Sequence, residues 1–93
     1  YNFANSKIHS FSLEGKSKNF IKNYLFKKGI DKNLIEDTLV NFEIDNPNWE
    51  TESAKIFARK KRLNINSANN FKKDLAKMAR AGFDYQTSLK VLE

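Results

Sequence analysis

Ninety-three residues, 40% hydrophobic and with eight Phe, suffice for one compact domain or two small repeats, and with no Cys the core needs neither disulfide nor metal. No apolar run approaches the roughly 20 residues of a membrane span and no signal-peptide pattern opens the chain, so no membrane partner is expected. Seventeen Lys and Arg against eleven Asp and Glu leave a net charge of +6, unevenly spread. Residues 1–30 hold six Lys and one Glu, residues 31–53 one Lys and seven acids, and residues 54–93 ten basic and three acidic residues. A basic protein with an acidic waist suits nucleic acid, an acidic protein surface, or simply solvated helix faces.

Helical punctuation is dense. The chain opens on Tyr1, already in a helical pattern, which suggests a fragment of a longer protein. A first helix is expected from about Asn2 to Leu13, with Phe3, Ile8 and Phe11 as apolar markers and Gly15 to end it. Ser17 is placed to cap a second helix that buries Phe20, Ile21, Tyr24 and Leu25. Gly29 suits the left-handed position past its end, with Ile30 folding back on the last turn. Asp31 caps a third helix, whose Leu34, Ile35, Leu39 and Phe42 recur at core-facing spacing. Asn46-Pro47 marks the clearest boundary, with Asn46 as cap and Pro47 at the first helical position. A fourth helix then runs from about Asn48 to Leu63, burying Trp49, Ile56, Phe57 and Leu63. The turn Asn64-Ile65-Asn66-Ser67 supplies a cap in Asn66 or Ser67. A fifth helix shows Phe71, Leu75, Met78 and Ala79 before Gly82, and a sixth starts at Asp84 with Leu89 and Leu92.

The chain also repeats itself. Leu25-Phe26-Lys27-Lys28-Gly29-Ile30-Asp31 returns as Met78-Ala79-Arg80-Ala81-Gly82-Phe83-Asp84, 53 positions later, and the same offset pairs Leu39 with Leu92. Self-similarity at such a period points to stacked supersecondary units. The expectation is an all-α fold of two tandem three-helix repeats, residues 1–44 and 45–93, in an elongated right- or left-handed array. Such arrays offer extended surfaces to large partners and seldom enclose a small substrate.

Catalytic chemistry is not expected. His9 is the only histidine, with no Cys or second His to share a metal. Glu36 and Asp37 point in different directions on a helix. The three Gly stand at turns and form no phosphate loop, and Asp45-Asn46 with Glu50 lacks the Gly and ligand ladder of a calcium loop. No enzyme, no cofactor and no small-molecule substrate are anticipated.

The strongest interaction signal is basic. On a helix Lys55, Arg59 and Arg62 fall at i, i+4 and i+7, flanked by Lys60 and Lys61, with Ile56 and Phe57 free to reach the core. Lys72, Lys73, Lys77 and Arg80 extend this surface if the next helix packs alongside. Cations contacting phosphate would add salt-dependent attraction. Trp49 reads either as an interface anchor or as a ring packed in its own domain, and packing is favoured.

Two three-helix units, each ending in a Lys/Arg-rich helix, Gly-apolar-Asp and a short amphipathic helix, resemble the RecX family of bacterial RecA regulators. The resemblance is carried by Gly15-Lys16-Ser17 before Phe20-Ile21, by Leu25 to Asp31, and by Leu34-Ile35 to Leu39. It continues through Ala54-Lys55 to Ala58-Arg59-Lys60-Lys61 and ends with Leu75 to Ala81-Gly82-Phe83-Asp84-Tyr85. The match corresponds to the second and third of that family's three repeats. Thr87 and Ser88 depart from it, standing where an apolar residue is expected, and Lys widely replaces Arg. The resemblance implies a cytoplasmic modulator, usually an inhibitor, of the RecA filament in DNA repair and the SOS response. It would lie along the filament groove with RecA as its partner, while the basic surface leaves single- or double-stranded DNA open as a second one.

Two other readings use the same residues. A helix-turn-helix relative would act on nucleic acid directly through the basic fourth and fifth helices, although no helix combines Arg with Asn or Gln as a base-reading set. A ubiquitin-associated-type module would use Ala81-Gly82-Phe83, but Met is expected where Ala81 stands. A structural fragment of a larger assembly is the third.

Overall fold

In a computed structural model, residues 2–63 and 71–92 are described, and they form six α-helices and no strand. These are α1 (Asn2–Glu14), α2 (Lys18–Lys27), α3 (Lys32–Asp45), α4 (Trp49–Lys60), α5 (Phe71–Arg80) and α6 (Tyr85–Leu92). The expected turn Asn64–Ser67 lies outside the described residues. The molecule measures 43 × 25 × 19 Å, an elongated shape.

Two apolar cores account for the fold. In the first, Ala4 and Ile8 of α1 meet Ile21 and Leu25 of α2, and Ile35, Leu39 and Phe42 of α3. In the second, Ala54 and Ala58 of α4 and Leu63 meet Met78 of α5, Phe83, and Leu92 of α6. Each fully buried aliphatic or aromatic side chain contributes roughly 1.5–3 kcal/mol. Trp49 opens α4 yet belongs to the first core, its ring 5.7 Å from Phe42 at 75°, so packing is the reading that holds. The stripes differ from expectation at their edges. Phe3 and Phe20 stand exposed, Ile56 and Phe57 are half-buried, and Ala79 faces solvent. Ala4 takes the interior place expected of Phe3.

The repeated turn is repeated in detail. After α2, Gly29 N–H donates to Phe26 O and Ile30 N–H to Leu25 O; after α5, Gly82 N–H donates to Ala79 O and Phe83 N–H to Met78 O. Both glycines have positive φ, +89° and +101°, as this helix-ending motif requires. Asp31 and Asp84 then cap α3 and α6, accepting from the backbone N–H of Asn33 and Thr87. Ser88, where an apolar residue was expected, is buried with its hydroxyl donating to Asp84 O, so the last helix packs without an unpaired polar atom there.

Two helix ends differ from expectation. Asn46 does not cap α4: its amide donates back to Phe42 O, and α4 begins after Asn48. At the other end α4 stops at Lys60, because Arg62 turns left-handed (φ 56°) and Leu63 N–H bonds Ala58 O. Arg62 thus occupies the place Gly29 and Gly82 fill elsewhere. A non-glycine residue there costs roughly 1–2 kcal/mol. Arg62→Gly is therefore expected to stabilise the protein by about 1 kcal/mol, raising its thermal midpoint by about 5 °C.

The cores are joined by a polar seam. The α1–α2 turn inserts between α4 and the turn after α5. Ser17, fully buried, accepts from Phe20 N–H to cap α2 and donates to Ala81 O at 2.7 Å. Asn19 donates to Gly82 O, and Ser53, also buried, donates to Lys16 O at 2.6 Å. Glu50 accepts from Lys18 N–H, and Lys60 Nζ donates to Glu14 O at the end of α1. Hydrogen bonds of this kind give each about 1 kcal/mol net, and the buried ones cost more when one partner is removed.

Asp84 gives the pH dependence of one cap. The Thr87 backbone N–H, then the Thr87 side chain, hold its carboxyl below the ordinary range, with Lys18 and Lys90 adding weaker help against slight burial. A lowered folded value stabilises the native state above the unfolded one and is lost as pH falls through the folded value. Asp84→Ala is expected to cost about 1 kcal/mol at pH 7, and the gap to the unmodified protein should close progressively below about pH 4 in urea melts.

Candidate partner-binding surface

The cations of the two halves are used differently. In the first half, Lys18 pairs with Glu43 at 3.5 Å and Lys22 with Glu36 at 3.0 Å. Lys7 lies within 6 Å of the Phe3, Phe11 and Tyr24 rings, Lys16 lies over Phe20, and Lys28 over Tyr24. Four acids of the waist thus act inside the molecule: Glu36 and Glu43 pair with lysines of α2, Glu50 caps α2 and Asp31 caps α3.

The second half leaves its cations open. Lys55, Arg59, Lys60, Lys61, Arg62, Lys72, Lys73, Lys77 and Arg80 are all exposed. Two have structural work: Lys55 pairs with Glu52 at 3.4 Å, and Lys60 bonds the end of α1. The expected Lys55–Arg59–Arg62 stripe is broken, because Arg62 lies past the end of α4. Nor do α4 and α5 lie side by side; α4 packs on α6 and α1, and α5 packs on α6.

Instead the C-terminal ends of α4 and α5 converge. Lys61, Lys77 and Arg80 line one groove of about 400 Å³ with Phe57 and Ala81. No acidic side chain among the described residues pairs with these three cations. Part of their placement answers the negative ends of two helix dipoles. The remainder is a positive potential over a half-buried aromatic ring, suited to an anionic surface. Lys73 continues the Lys77–Arg80 side of α5 at i, i+4 and i+7. This convergence could not be read from spacing, since it depends on how α4 and α5 are both held by α6. Among the described residues no group of three or more His, Asp and Glu is arranged to hold a metal ion. None of their helices is long and apolar enough to cross a membrane.

Fold and surface together define, among the described residues, an all-helical protein of three-helix units with a cationic groove at the meeting of two helix ends. Over 98% of its length the chain is 32% identical to the regulatory protein RecX of Myxococcus xanthus (strain DK1622). The resemblance to the RecX family carried by the residues is therefore shown across nearly the whole chain. The chain spans about half, 51%, of the length of that relative. No family model and no solved structure matches it.

Proposed function

We propose that this chain is a non-catalytic regulatory segment that modulates the RecA recombinase filament, most simply as an inhibitor, in DNA repair and the SOS response. The observation that carries this reading is its similarity over 98% of its length to a protein named as a regulator, RecX. Two structural features support it. An elongated helical body, 43 Å long, suits a long groove on a filament. Lys61, Lys77 and Arg80, without an acidic partner among the described residues and continued by Lys73, supply electrostatic contact, and Lys55, Arg59, Lys60, Arg62 and Lys72 form its margin.

The test is the single-stranded-DNA-dependent ATPase of RecA, with this chain titrated in at near-physiological salt and a parallel binding assay on bare DNA. Inhibition at concentrations that leave bare DNA unoccupied is the expected result. Salt-sensitive DNA binding with no effect on RecA would favour a helical DNA-binding domain instead.

A further inference from the structure

Where α1, the end of α3 and the start of α4 meet, a second groove of about 460 Å³ is bordered by Leu13, Phe42, Asp45, Trp49, Glu52 and Ile56. Most of its exposed lining is apolar, with Leu13 63% exposed, while His9, Ser12, Asn46 and Asn48 add polar groups to its edge. Two carboxylates, Asp45 and Glu52, stand on its rim, and no Lys or Arg lines it, in a protein of net charge +6. Among the described residues Asp45 forms no ion pair, and Glu52 pairs only with the exposed Lys55. Trp49, 5% exposed, holds its Nε1–H buried with no acceptor among the described residues. A buried donor is normally answered, so one left unanswered beside a groove calls for an explanation.

We propose that this groove binds an extended peptide segment of a partner protein that carries a Lys or Arg next to an apolar side chain. The apolar side chain lies against Leu13, Phe42 and Ile56. The cation meets Asp45 and displaces Lys55 from Glu52. A backbone carbonyl of the segment accepts from Trp49 Nε1–H, with movement of the side chains that cover the indole. An extended segment fits this role because the interior of a helix has already committed its carbonyls. The sign of the rim selects a cationic partner, opposite in charge to whatever the Lys61–Lys77–Arg80 groove takes.

Trp49 is the single tryptophan of the chain, so its emission reports on the groove directly. The probe is a Leu-Lys-Leu-Lys-Leu peptide, with Leu-Glu-Leu-Glu-Leu as control, titrated against the full chain and followed by Trp49 emission and by anisotropy of a labelled copy. The Lys peptide alone should change the emission saturably. Its affinity should fall at least about tenfold in Asp45→Lys and about threefold to tenfold in Trp49→Phe. Asp37→Lys makes the same charge change on an exposed α3 residue outside the groove and should leave affinity within about twofold. Circular dichroism checks that the exposed Asp45 variant is folded. Equal losses in Asp45→Lys and Asp37→Lys, or binding that leaves Trp49 emission unmoved, would overturn the proposal. So would self-association in sedimentation that Asp45→Lys abolishes, which would assign the groove to a second copy of this chain.

Discussion

Gly82→Ala is expected to destabilise the protein by about 3–5 kcal/mol, against about 1–2 kcal/mol for Gly29→Ala. The two glycines occupy equivalent turns with the same left-handed backbone, so the conformational cost of a Cβ is nearly equal at both. Their surroundings differ. A Cβ on Gly29 meets nothing within 4 Å, whereas one on Gly82 collides with Ser17 Oγ and crowds Asn19. Ser17 cannot withdraw freely, because its hydroxyl both caps α2 and bonds Ala81 O. Displacing it leaves a buried hydroxyl, a helix N-terminus and a carbonyl unanswered together, so the penalty exceeds that of simple overpacking. Urea unfolding of the two variants measures the difference. Equal losses would show that the seam between the two cores yields without cost.

On the proposed function, reversing Lys61, Lys77 and Arg80 together to Glu should lower affinity for the RecA filament by at least about 100-fold, with helicity unchanged. All three are exposed and line one groove without an acidic partner among the described residues, so the fold has little stake in them. Reversing Lys55 and Arg59 should cost less than about tenfold, because Lys55 is already paired with Glu52 and neither side chain borders the groove. If the surface binds DNA, the triple variant should also flatten the salt dependence, by about 0.9 in log–log slope for each phosphate it no longer neutralises. A larger effect from Lys55 and Arg59 would move the binding surface to the outer face of α4.

Much of the fold was legible because helix ends are local chemistry. Gly29 with Ile30 and Asp31, and Gly82 with Phe83 and Asp84, state a stop, a fold-back and a cap within three residues, and the structure follows them. Arg62 was not legible, since its side chain favours continuing a helix. What ends α4 there is Leu63 reaching into the second core, which offsets the cost of the left-handed turn. The basic residues were identified by type and exposure, but their grouping followed a continuous helix that stops one turn early.

By itself the sequence determined the six helices, the duplication at 53 residues, the placement of most core side chains and the family resemblance, because periodicity and capping act within a turn or two of chain. Tertiary structure alone decided the rest. Ser17 joins Ala81 across 64 residues and Ser53 joins Lys16 across 37, and small hydroxyls carry no signal of the distant carbonyl they will meet. Lys61 comes beside Lys77 and Arg80 only because α6 holds both of their helices. Side chains far apart in the chain gain a common electrostatic field when packing brings them within a Debye length, and no local pattern encodes that.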